Sequence, residues 1–168
     1  MERKVTIKQR ILDKTWKDEK GATLRMTSVH SNTSGEKDFT VQAEIELISP
    51  AETPFRKDAV RTVVTIPGED TSAFEESAGS IVKIVQARNV YTPTSPRPYV
   101  ELSTPFVDGV TIGSSKEPAK PTVYFFEFHN NAVPIRFLIG DQDQLEEFRY
   151  FFRQVNEYHQ SICQQRAA

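Results

Sequence analysis

Between Phe39 and Leu47 apolar and polar side chains alternate without exception: Phe39, Val41, Ala43, Ile45 and Leu47 against Thr40, Gln42, Glu44 and Glu46. A period of two is the signature of a strand with one face on a core and the other in water, so this stretch demands a half-buried sheet. Upstream, Val5–Leu12 and Ala22–Val29 read as two more strands, joined by Lys17–Gly21, whose glycine can take the positive φ of a hairpin connection. Asn32–Gly35 is the turn before Phe39, and a proline-bearing loop, Ser49–Lys57, leads to a fourth strand, Val60–Ile66, ended by Pro67-Gly68.

After that break Ser72-Ala-Phe-Glu75 has the spacing of a capping box, which starts a helix with Phe74, Ser77, Ile81 and Ile84 on one face. Gly79 and the β-branched run Ile81–Val85 leave two outcomes open. Either the helix continues to about Ala87, or it stops at Gly79 and residues 81–91 form a strand. Three prolines within Pro93–Pro98 exclude helix there and make Tyr91–Pro98 a linker or exposed loop. Short strands are expected at Tyr99–Ser103, Phe106–Ile112, Val123–His129 and Val133–Ile139, with Gly113–Pro121 a loop and Asn130-Asn131 a hairpin turn. The C-terminal segment opens with Asp143-Gln-Leu-Glu146 and carries Leu145, Phe148, Phe152, Val155, His159 and Ile162 at helical spacing, a stripe that must pack on a sheet.

The expected class is therefore α+β: eight or nine mostly antiparallel strands and a long C-terminal helix in a single domain, 1–168. Aligning Val60–Ile66, Gly68 and Ser72–Glu76 with Val133–Ile139, Gly140 and Asp143–Glu147 superposes the helix stripes too, which divides the chain into tandem ββββα repeats, 1–87 and 88–168. That arrangement resembles the Whirly and PUR-type proteins, whose architecture implies binding of single-stranded nucleic acid across the sheets of two ββββα units. The resemblance is architectural and carries over no individual residue. A strand at 81–91 would instead give a barrel or sandwich capped by the C-terminal helix, similar in outline to pleckstrin-homology-like domains, which are usually adaptors for proteins or lipids.

No motif names a reaction. The chain lacks Gly-x-Ser-x-Gly, a Gly-rich phosphate loop and Gly-x-Gly-x-x-Gly, and His30, His129, His159 and Cys163 lack the short spacings of a zinc site. Asp141, Asp143, Glu146 and Glu147 are accounted for as complements to a helix dipole. No catalytic residue, metal or cofactor is expected, and the protein reads as non-catalytic. The lone cysteine suits a reducing compartment, and with neither an apolar span nor a leader core a cytoplasmic location without membrane contact is expected.

Charge supplies the remaining direction. Residues 1–25 hold eight basic against four acidic residues, whereas the whole chain carries a net charge of −2. With Val5, Ile7, Leu24 and Met26 inward, Thr6, Lys8, Arg10, Arg25 and Thr27 face outward. Lys8, Arg10, Lys17, Arg25 and Arg61, with Trp16 stacking on bases, are the candidate contacts to single-stranded DNA or RNA; Glu44 and Glu46 on the same side oppose phosphate. The alternative is a protein-interaction adaptor, to which the PxxP core Pro93–Pro96 and the Thr92-Pro, Ser95-Pro and Thr104-Pro dipeptides also belong. Phe151 and Tyr158 widen the C-terminal helix stripe beyond what one core needs, which points to a homo-oligomer, most simply a homodimer, using that edge.

Overall fold

A computed structural model describes residues 6–33, 39–50, 60–90, 100–117, 120–129 and 134–167. Four strands, β1 (Thr6–Lys17), β2 (Thr23–Thr33), β3 (Phe39–Ser49) and β4 (Val60–Pro67), form an antiparallel meander followed by helix α1 (Ser72–Val90). The pattern then repeats: β5 (Val100–Val107), β6 (Val110–Lys116), β7 (Val123–Phe128) and β8 (Ile135–Ile139) form a second meander, followed by α2 (Gln142–Ala167). The chain is thus α+β with the ββββα order written twice. α1 settles the choice between helix and strand after Gly79: it continues through that glycine to Val90, and among the described residues the strands form no closed barrel. Ile81, Val82 and Val85 are buried on its inner side, so packing outweighs the β preference of a branched run.

Each helix packs on the sheet of the other repeat, and α2 also meets its own sheet, where Phe148 touches Phe126 and Phe137. α1 lies against β5 and β6, α2 lies against β3, and the two helices touch each other. Phe74 of α1 therefore meets Phe152 of α2 (ring centroids 4.4 Å apart), Phe106 of β5 (5.2 Å) and Phe126 of β7 (5.6 Å) in one continuous core. Glu75 reinforces the crossing by accepting from Arg149 (3.0 Å) and Arg153 (2.7 Å), and the Arg149 hydrogen bond foremost holds its carboxyl below the usual range. At the other junction Asp18 of the β1–β2 turn caps its own hairpin through Lys20 N and Ala22 N and accepts from Leu138 N of β8 at 3.0 Å.

Several expected details differ. Both capping boxes are displaced: Thr71 Oγ1 donates to Gly68 O while Glu75 is taken by the arginines, and at α2 the cap is Asp141, which accepts from Gln144 N at 2.8 Å while Gln144 Oε1 accepts from Gly140 N at 3.0 Å. The expected strand Phe106–Ile112 is broken at Asp108-Gly109, where Gly109 has φ 78° and closes the β5–β6 hairpin. Gly113 belongs to β6 rather than to a loop. Phe125 lies across it so closely that a Cβ there would meet the ring at 2.2 Å. Thr104-Pro105 sits inside edge strand β5, whereas Tyr91–Pro98 and Asn130-Asn131 lie outside the described residues.

Phe151 requires a correction as well. It is fully buried, with its ring 5.5 Å from that of Phe152, because α2 is sandwiched between β3 and α1 and needs a wider apolar arc than a helix on one sheet. Only Tyr158 of the expected oligomer pair reaches solvent, at 36% exposure, and its edge meets the His30 ring.

Candidate nucleic-acid interface

The candidate site residues belong to the first sheet, and a bulge in β1 decides which of them share a face. Pairing with β2 runs Lys17↔Thr23 to Leu12↔Ser28, skips Ile11, and resumes with Arg10↔Val29. The skipped residue reverses the alternation, so Lys8 and Arg10 before the bulge and Asp13, Thr15 and Lys17 after it face outward together. Leu12 and Trp16 face the core. Trp16 is accordingly removed from the candidate surface: its ring packs 4.5 Å from Phe148 and its Nε1 donates to Glu147 at 2.9 Å, so it joins β1 to α2 instead of meeting a base.

Register places Lys8, Arg10, Lys17, Arg25 and Arg61 on one outer face, together with Asp13, Glu44 and Glu46. Neither helix covers that face. Three of the five cations are paired: Arg10 with Glu44 at 3.3 Å, Arg25 with Asp13 at 2.9 and 2.6 Å, and Arg61 with Glu46 at 3.0 and 2.5 Å. The Arg25 hydrogen bonds keep the Asp13 carboxyl below the ordinary carboxylate range. Arg10 and Glu44 stand on either side of β2, and their bridge crosses over Thr27 and Val29. That explains why these two outward residues are only 2% exposed. Lys8 and Lys17 have no ion-pair partner among the described residues.

Among the described residues this face holds five cations against three carboxylates. Toward Lys8 and Arg10 the carboxylate is Glu44; toward the β1–β2 hairpin Arg25 is held by Asp13 and Arg61 by Glu46, which leaves Lys17 without an ion-pair partner at that end, together with Thr15, Thr23 and the 46% exposed Val63. Ile7 keeps the expected inward side, opposite Lys8, but is 62% exposed, since β1 continues there beyond the core.

Among the described residues the second sheet offers no equivalent. On its outer face the Arg136 guanidinium lies 3.7 Å over the Phe125 ring and is held by Glu127 (2.9 Å) and Glu101 (2.6 Å), a stack that closes the surface and leaves it net negative. A depression of about 150 Å³ between α1 and α2 is lined by Thr71, Ser72, Glu75, Arg149 and Arg153, but Glu75 already occupies both guanidinium groups. Among the described residues no helix is long and apolar enough to cross a membrane. No family model, no curated protein and no solved structure matches this chain.

Proposed function

We propose that this protein is a non-catalytic binder of single-stranded nucleic acid, held by phosphate contacts at the hairpin end of the first sheet's outer face. The observation that carries this reading is the excess of cations on a face neither helix covers: Lys8, Arg10, Lys17, Arg25 and Arg61 against Asp13, Glu44 and Glu46 among the described residues, with Arg61 66% exposed and Lys17 without an ion-pair partner at the hairpin end. Exposed ion pairs of this kind contribute little to stability and are screened by salt, so a phosphate can replace a carboxylate as the arginine's partner. The threonine hydroxyls add donors, and Val63 offers an apolar surface to a base. With no aromatic ring on this face among the described residues, recognition rests on the backbone and is tolerant of sequence.

A second reading, a protein-interaction adaptor, is favoured by one feature: β1 is an edge strand with Ile7 and Ile11 at 62% and 46% exposure, so its free backbone groups offer an edge for strand addition. The two readings separate in a salt titration. Oligonucleotide affinity carried by three phosphate contacts falls with a log–log slope of about −2, and Lys17→Ala with Arg61→Ala flattens it. No binding of short DNA or RNA at micromolar protein and low salt overturns the nucleic-acid reading. An apolar strand-addition contact keeps its affinity across the same salt range.

A further inference from the structure

Of the three carboxylates on this outer face among the described residues, Glu46 holds the most exposed of the paired arginines, Arg61 at 66% against 49% for Arg10 and 44% for Arg25. It is register partner to Arg25 on β2, and its Oε2 accepts both Nε and Nη2 of Arg61 from β4. Asp13 is held in a two-oxygen fork by Arg25, and Glu44 makes one 3.3 Å contact with Arg10 toward the other end of the face. The Glu46 side chain is 20% exposed while that of Arg61 is 66% exposed, so a phosphate meets the guanidinium first and the carboxylate stands directly behind it. We propose that Glu46 is a built-in competitor for phosphate that sets how tightly this face holds a nucleic-acid backbone; the proposal rests on the assignment of the face given above. A strand that engages Arg61 must displace Glu46 as its partner, and the displaced charge then repels the phosphate that took its place.

The test compares wild type with Glu46→Gln, which keeps an oxygen acceptor for Arg61 and removes only the charge. Glu157→Gln, on an exposed turn of α2, changes net charge equally and serves as control. The readout is anisotropy of a fluorescein-labelled oligodeoxythymidylate across a salt series. Removing one like charge in contact range is expected to tighten binding about tenfold and to steepen the salt slope by about 0.7, with Glu157→Gln near wild type. Wild-type binding that is unchanged or weakened in Glu46→Gln overturns the proposal and leaves Glu46 as a residue that positions Arg61. Absence of binding by both proteins at low salt overturns the interface itself. Should Glu46→Gln not fold by circular dichroism, Glu46→Thr, compatible with a strand, carries the same expectation.

Discussion

Replacing Phe74 by alanine tests whether the two repeats share one core. Its ring is fully buried and contacts rings from β5, β7 and α2, all in the second half of the chain, although Phe74 itself lies in the first. Truncating a buried phenylalanine costs about 3–5 kcal/mol, and the three ring contacts here place the loss toward the upper end. For a chain of this size each kcal/mol lowers Tm by about 2–4 °C, so a fall of roughly 8–20 °C follows from a loss of about 4–5 kcal/mol. The assay pairs far-UV circular dichroism, which sees both sheets and helices, with the fluorescence of the single tryptophan, Trp16, which sits at the contact of β1 with Phe148 of α2. In a shared core both signals shift together in one transition. If Trp16 fluorescence kept its wild-type midpoint while the dichroism split into two steps, the halves would be independent and the exchanged-helix packing would be refuted.

Phe151→Asp is expected to abolish folding rather than dissociate an oligomer, because it places an unpaired carboxylate in the core; light scattering on a soluble, cooperatively melting variant would contradict this. Gly113→Ala drives a Cβ into both the Phe125 ring and the Leu102 carbonyl oxygen of β5, so the ring and the β5–β6 pairing must both shift, costing about 1–3 kcal/mol or more in chemical denaturation; an unchanged midpoint would refute this close packing of β5, β6 and Phe125. Burial beside Tyr158 lowers the His30 pKa from 6.5, so the unfolded chain binds the extra proton more readily and stability must fall with acidity. The His30 contribution is intact above pH 6.5 and is lost as pH drops through that value toward the lower folded one; His30→Gln removes this part of the pH dependence, and an NMR titration with a midpoint above 6.5 would reverse the sign.

The outline of the fold was legible because its determinants are local. The period-two run Phe39–Leu47 became β3, and Gly21, at φ 86°, took the positive φ expected of the first hairpin. The alignment of Val60–Glu76 with Val133–Glu147 anticipated the doubled ββββα order, since each stretch carries its own strand, break and helix stripe. The Asp108-Gly109 turn was equally local and its dipeptide was there to be read; treating Phe106–Ile112 as one strand passed over it. Other features depend on residues far apart in the chain. A single unpaired residue, Ile11, decided that Lys8 and Arg10 share a face with Lys17 while Trp16 turns to the core, and no composition or spacing marks a bulge. Packing of α2 against both β3 and α1 left Phe151 fully buried, an aromatic that a helix on one sheet would leave in water. The proximity of Arg61 to Glu46, fifteen residues away, and of Arg149 to Glu75, seventy-four away, is likewise set by strand register and helix crossing. Local sequence determines which elements form, through periodicity and turn chemistry; which charges neutralise one another depends on distances of a few ångströms that only the assembled sheets and helices define.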